Sequence, residues 1–235
     1  MGKWDWQVFF QDTGGGQTYL QWLMSAWGWT LSVALLALVI ALVVGSFIGI
    51  LRTVPNRAVS LFGEAWAELF RNVPLLVQLF IWYHVLPGLF PALRAVPSFL
   101  LVVFGLGFFT SARIAEQVKA GIQTLPQGQR YAGLAMGLTL PQVYRYVIMP
   151  MAFRIVIPPL TSESMNIIKN SSVAFAVSIA ELTFFAQQAA EETSRGVEVY
   201  LAVSFLYFIS AFAINRLAML IEHHTQVPGM VGAGR

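Results

Sequence analysis

The chain of 235 residues contains no cysteine. That excludes a disulfide framework and any thiolate metal site, and it leaves the redox compartment open. Charge is scarce as well: 11% of residues are Asp, Glu, Lys or Arg, against about a quarter in soluble domains. A soluble globular domain is therefore not the default. No GxxxxGK[ST] phosphate loop occurs, and the stretch TGGGQTYL has no lysine to reach a phosphate. There is no nucleophile–base pair and no metal-ligand cluster, so an enzyme is the weakest class. His223 and His224 stand near the C-terminus without further ligands. The formal charge of +3 is small and scattered, which does not point to nucleic acid. The N-terminal MGKWDWQVFFQDTGGG holds two Asp, a Gly run and no small-residue cleavage site, and does not read as a signal peptide.

What the chain does have is apolar length. Apolar residues make up 57% of it and gather in runs that reach the roughly 20 residues needed to cross a bilayer. Runs at about 26–51, 97–118, 155–180 and 197–221 qualify. A further run, VPLLVQLFIWYHVLPGLF, follows Glu64, Glu68 and Arg71. Residues 61–70 before it read either as an interfacial helix or as the lower end of a longer span. The expectation is an all-α membrane protein with five transmembrane helices.

Lys and Arg set the orientation. With residues 52–60, 119–154 and the C-terminal end in the cytoplasm, that side carries eight (Arg52, Arg57, Lys119, Arg130, Arg145, Arg154, Arg216 and Arg235) against three outside (Lys3, Arg94 and Arg195). The N-terminus is then outside, the C-terminus inside. The corresponding division is an outer segment 1–25, a transmembrane domain 26–222 with a cytoplasmic loop at 119–154, and a cytoplasmic tail 223–235. No internal repeat is visible, and five unrepeated spans are too few for a pathway built from repeats in one chain. A two-fold pathway would need a second chain. Trp22, Trp27 and Trp29 read as interfacial anchors at the outer start of the first span, and His84 as an isolated imidazole.

The loop carries the pattern richest in consequence. Tyr131, Leu134, Ala135 and Leu138 recur at spacings of 3 and 4 and share a helix face. Gly137 can take a left-handed conformation and end that helix. Thr139, with Pro141 in the first turn and Gln142 three residues on, has the form of a capping box opening a second helix. Val143, Val147 and Met151 continue an apolar stripe, with Arg145 and Tyr144 elsewhere on the surface. A helix–turn–helix bounded by Pro126 and Pro150 results. It reads either as an amphipathic hairpin on lipid headgroups or as a docking surface for a soluble cytoplasmic partner.

The same residues resemble the cytoplasmic coupling loop of permease subunits in ATP-binding-cassette importers. That signature is Glu-Ala-Ala, three residues, Gly, nine residues, then an aliphatic residue, any residue and Leu-Pro. Here it reads Tyr131, Ala132, Gly133, three residues, Gly137, nine residues, then Val147 to Pro150, with the spacing kept in full. Tyr131 replaces the Glu, Gly133 the second Ala and Met149 the Leu. LFRNVPLLVQLF, AGIQTLPQGQR and PPLTSESMNIIKNSSV resemble the polar-amino-acid branch of these permeases. GILRTVPNR and AMGLTLPQVYRYVIMP are similar to the first permease subunit of a bacterial glutamate/aspartate importer.

The resemblance implies a type I ABC importer permease fold in the bacterial inner membrane, with a periplasmic N-terminus and a cytoplasmic C-terminus. It implies an amino acid, glutamate or aspartate, passed from a periplasmic binding protein to the cytoplasm by alternating access. The partners it implies are an ABC ATPase dimer, a second permease subunit in a heterodimer, the binding protein and membrane lipid. ATP and magnesium would bind the ATPase, with no cofactor in this chain. Arg130, Tyr131, Ala132, Gly133, Leu134, Gly137, Leu138 and Pro150 form the implied ATPase-coupling loop. The connector AQQAAEETSRGVE, at 186–198, reads as a contact for the binding protein or as a solvated linker. The competing class is a subunit of an ATP-independent secondary transporter or channel for polar solutes, which would need no such hairpin.

Charged groups inside a bilayer are costly and face a bundle interior. The fourth span holds Glu163, Asn166 and Asn170 on one stripe, with Lys169 about a quarter turn away. Counted from Pro158, Lys169 lies about 16 Å in, near mid-membrane. With Arg71 they form a candidate substrate pathway in which Lys169 and Arg71 meet an acidic substrate's carboxylates. The alternative is polar packing between helices, with Glu163 paired to Arg71 or Lys169. Arg113 and Glu116, three apart, read as a local snorkelling pair.

Overall fold

A computed structural model describes residues 4–225, with side chains through Leu220. Among the described residues the secondary structure is helical, apart from an isolated bridge between Asp12 and Thr18. In chain order the helices are α1 (Tyr19–Leu51), α2 (Arg57–Asn72), α3 (Leu75–Phe80), α4 (Leu86–Leu89), α5 (Ser98–Gln123), α6 (Gln127–Ala135), α7 (Leu140–Val143), α8 (Met149–Asn170), α9 (Leu182–Thr193) and α10 (Gly196–Thr225). The expected tail at 223–235 lies outside the described residues from 226 on, as do the side chains of His223 and His224.

Four stretches are long and apolar enough to cross a membrane: Tyr19–Leu51, Ser98–Gln123, Leu140–Val177 and Gly196–Leu220. A fifth results if Arg57–Asn72 and Leu75–Leu89 count as one bent span. Pro74, with no N–H to carry a helical ladder, stands at that break as the N-cap of α3.

Two spans differ in register from expectation. α1 starts at Tyr19 rather than near Ala26, because Thr18 and Gln21 cap it reciprocally: the Thr18 N–H donates to Gln21 Oε1 at 2.9 Å and the Gln21 N–H to Thr18 Oγ1 at 3.3 Å. Its 33 residues extend about 50 Å, well beyond a hydrocarbon core of about 30 Å. α8 starts at Met149 and holds Pro158 and Pro159 in its interior, then passes at Asn170 into a tighter turn over Ser171–Val177. Lys169 therefore sits in the last turn of α8, about 30 Å from Met149, and not midway along a helix begun at Pro158.

The chain divides into two compact units. The first draws on the residues up to Val39, on Val73–Gly107 and on Met165–Ala213. Its core includes Val8, Tyr19, Leu23, Leu182, Phe185 and Val199. Trp22 meets the Phe185 ring edge-on at 5.1 Å between centroids, and the Trp27 Nε1–H donates to Ser210 Oγ at 2.8 Å. These two tryptophans pack, half-buried, against this core, while Trp29 is exposed against Phe99. Fully burying Phe185 contributes about 2–3 kcal/mol. The expected connector is largely α9, with Phe185, Ala186 and Ala189 buried, so it is no solvated linker. The buried Glu181 caps α9, accepting from the Thr183 and Phe184 N–H groups and from the Tyr207 hydroxyl.

The second unit draws on Ile40–Asn72, Phe108–Ser164 and the chain from Ile214. In it α1 and α5 approach so closely that a Cβ on Gly45 would stand 2.7 Å from Ser111 O, and one on Gly49 2.6 Å from Val118 Cβ. Only a residue without a side chain fits either place, the close backbone approach typical of small residues spaced four apart.

Candidate functional site

The hairpin forms as its sequence requires. α6 ends at Ala135 and Gly137 adopts φ +86°. The Leu138 N–H donates to Gly133 O at 3.2 Å and the Gly137 N–H to Leu134 O at 3.0 Å, a Schellman closure that satisfies carbonyls the helix leaves open. Thr139 then opens α7, its N–H donating to Gln142 Oε1 at 2.8 Å in the capping box. Gly133 is buried, and a Cβ there would lie 3.0 Å from Val143 Cγ2. Glycine in place of the signature's second Ala thus lets α6 sit closer to α7.

Among the described residues the hairpin's outer face stays uncovered. Tyr131 is 55% exposed, Leu134 40% and Met136 82%. Arg130 lies 5.1 Å over the Tyr131 ring and its Nη2 donates to the Tyr131 hydroxyl at 3.4 Å, so the two residues present one cationic–aromatic surface. Ala132, Ala135 and Pro150 are exposed, and Leu138 is half-buried.

Tyr144 is a correction. It is buried, and its hydroxyl donates to Thr53 O at 2.8 Å. After α7 the helix widens into a π-turn over Tyr144–Ile148, with Tyr144 as its first residue. Wide turns of this kind gather at functional positions. Here it ties the second arm of the hairpin to the segment that follows α1.

Beside Thr53 is an ion cluster. Arg52, its side chain 2% exposed, donates from Nε and Nη2 to Glu64 Oε2 at 3.0 and 2.6 Å, and from Nη2 to Glu116 Oε1 at 2.8 Å. Arg71 donates to the same Glu116 oxygen at 2.8 Å, and Lys119 pairs with Glu64 Oε1. Three cations share two carboxylates across the end of α1, α2 and α5. Arg52 also follows the last turn of α1, where a cation complements the helix dipole. Burial works against its charge, but its hydrogen bonds to Glu64 and Glu116 outweigh that and hold its pKa above the usual arginine value.

The candidate pathway residues part company. Glu163, buried, is bidentate with Arg113: Nε to Oε2 at 2.9 Å and Nη2 to Oε1 at 3.0 Å. Gln117 Nε2 donates to Glu163 Oε1 at 3.1 Å. The pairing of Glu163 with Arg71 or Lys169 is overturned, and so is the local pair of Arg113 with Glu116. Residues three apart on α5 instead diverge to carboxylate and guanidinium partners far away in sequence. Lys169 is exposed and, among the described residues, has no carboxylate within ion-pair distance, while Asn166 and Asn170 are half-buried. His84 is exposed, with its ring against Tyr83 and Phe80.

Residues 41–227 match the family described as binding-protein-dependent transport system inner membrane component. The glutamate/aspartate import permease protein GltJ of Escherichia coli strain K12 is 43% identical over 240 aligned residues, covering 97% of this chain and 98% of that protein. The probable glutamine ABC transporter permease protein GlnM of Bacillus subtilis strain 168 is 33% identical, covering 79% of this chain and 85% of its own. A crystal structure of an amino acid ABC transporter with histidines superposes with a TM-score of 0.76 at 30% identity, covering 88% of this chain and 95% of that one. The chain belongs to the family of inner-membrane components of binding-protein-dependent transport systems, as an amino-acid ABC permease of the type I importer fold.

Proposed function

We propose that this chain is the permease subunit of an ATP-driven importer that carries L-glutamate or L-aspartate from a periplasmic binding protein into the cytoplasm. The observation that carries the substrate is the 43% identity, over nearly the whole of both chains, with a glutamate/aspartate import permease. The N-terminus faces the periplasm, the C-terminus and the loop at 119–154 the cytoplasm, a reading supported by the Lys and Arg bias. A separate ABC ATPase dimer binds ATP with magnesium, and a second permease completes the pathway as a heterodimer.

The uncovered face of Arg130, Tyr131, Leu134 and Met136 docks on the ATPase. Closure of the ATPase moves the hairpin as one body, because the Schellman turn, the capping box and the Gly133–Val143 contact fix its two arms. The Tyr144–Thr53 hydrogen bond and the Arg52 cluster pass that motion to the ends of α1, α2 and α5. Lys169, which among the described residues has no carboxylate partner, offers positive charge to the substrate.

The test is amino-acid uptake in a strain lacking this chain, with glutamate, aspartate, glutamine and arginine as substrates. Glutamate and aspartate uptake is expected to fall selectively and to return with the wild-type chain. Loss of glutamine uptake alone would overturn the substrate. In the assembled transporter Lys169→Met is expected to raise KM for glutamate about tenfold, the loss of one charge-assisted contact. An unchanged KM would remove Lys169 from the pathway.

A further inference from the structure

A cavity of about 390 Å³ lies between the end of α1, the α5–α6 turn and the π-turn after α7, large enough for a small ligand. Its polar wall comprises Arg52, Arg130, Gln123, Gln127 and Gln129, with Thr53 and Tyr144. It contains no Asp or Glu. We propose that this cavity binds a phosphate-class oxyanion, either free phosphate or the phosphate of a lipid headgroup.

The argument rests on donors left over. Arg52 is almost wholly buried, and its Nε and Nη2 are committed to Glu64 and Glu116, yet its Nη1 is buried without an acceptor. Leaving a buried guanidinium N–H group without an acceptor is costly. Gln129 Oε1 is likewise buried without a partner, and turning that amide over would present its NH2 donors instead. Among the described residues Arg130 has no carboxylate partner, only the neighbouring Tyr131. Thr53 and Tyr144 contribute little, because the Thr53 hydroxyl donates to Ile50 O and the Tyr144 hydroxyl to Thr53 O.

Two guanidinium groups and three amides, with no anion among them, suit an acceptor-only ligand with several oxygens. Arginine meets phosphate through parallel N–H donors, and phosphate has more acceptor oxygens than a carboxylate. An oxyanion held here would join Arg130, at the start of the hairpin, to Arg52, at the end of α1. It would brace the hairpin by a second tie beside the Tyr144–Thr53 bond.

The test uses the full chain purified into phosphatidylcholine nanodiscs, where no ATPase subunit adds a phosphate site. Inorganic phosphate and L-glutamate are titrated calorimetrically. In parallel, chain extracted from phosphatidylglycerol-containing membranes is weighed by native mass spectrometry. Either saturable one-to-one binding of inorganic phosphate or one retained phosphatidylglycerol is expected, and the arm that responds identifies the source. Gln129→Leu and Arg130→Gln are each expected to weaken that binding about tenfold, one charge-assisted hydrogen bond. Both spare the Arg52 cluster, and a thermal unfolding midpoint matching wild type shows that the fold is intact. Absence of both ligands, binding that neither substitution changes, or binding of L-glutamate without phosphate would each overturn the site. None of these readouts depends on uptake, so the proposal and the transport reading fail separately.

Discussion

Arg52 shows how burial decides what an ion pair is worth. Its guanidinium is held in place by two carboxylates, Glu64 and Glu116, whose side chains are 32% and 34% exposed. Arg71, on the same Glu116 oxygen, is 47% exposed. Removing one partner of a buried pair costs about 3–5 kcal/mol, whereas an exposed pair contributes about 0–1 kcal/mol. Arg52→Met is therefore expected to destabilise the purified chain by about 2 kcal/mol or more, the lower figure allowing for solvent at the two carboxylates. Arg71→Met should cost under about 1 kcal/mol. Denaturant unfolding in detergent compares the two, and equal losses would mean that burial of Arg52 is not what makes the cluster matter. Tyr144 poses the same question in neutral form, since its hydroxyl is one hydrogen bond on a backbone carbonyl.

At the scale of elements the hairpin is the part whose mechanics can be tested. Gly137 holds φ +86° and its N–H closes on Leu134 O. Alanine there meets no neighbouring atom but must take a left-handed conformation, at a cost of about 1 kcal/mol. Proline fixes φ near −65° and deletes the N–H, so Gly137→Pro breaks the turn itself. In reconstituted transporter Gly137→Ala is expected to keep most uptake. Gly137→Pro should leave ATP hydrolysis running while uptake per ATP falls at least tenfold. Uptake per ATP equal to wild type in Gly137→Pro would remove the rigid-arm account. This hairpin was legible from Gly137, Thr139 and Gln142, because turn and cap chemistry is local. The Thr18–Gln21 cap and the Gly45–Gly49 spacing carried equally local signals, of an earlier start to α1 and of a close helix contact. Burial of Tyr144 carried none, because its partner, the Thr53 carbonyl, lies 91 positions away in the chain. The partner of Glu163 was hidden for another reason. Arg113, Arg71 and Lys169 are all cations, and helix packing across 50 positions chooses among them. The solvated-linker reading of 186–198 failed because Glu191 and Glu192 are exposed on α9 while Ala186 and Ala189 are buried in a core.

For the whole molecule, the distribution of charge and the lack of cysteine combine into a direct test of topology. The Lys and Arg bias predicts an N-terminal segment outside and a hairpin inside, and a chain without cysteine gives no background to thiol labelling. Gly15 and Met136 are exposed positions from those two segments. Gly15 has a negative φ, and a Cβ there meets only the Thr13 hydroxyl at 3.6 Å, so Gly15→Cys fits the turn. Met136, 82% exposed, loses little packing on Met136→Cys, and surface changes of this kind stay within about 0.5 kcal/mol. A membrane-impermeant maleimide applied to intact spheroplasts is expected to label Gly15→Cys and not Met136→Cys. After permeabilisation both should label, unless the ATPase is present, in which case Met136→Cys should stay protected. The reverse pattern would invert the topology and take the hairpin away from any cytoplasmic partner. Labelling of Met136→Cys that is indifferent to the ATPase would keep the topology but move the docking face elsewhere.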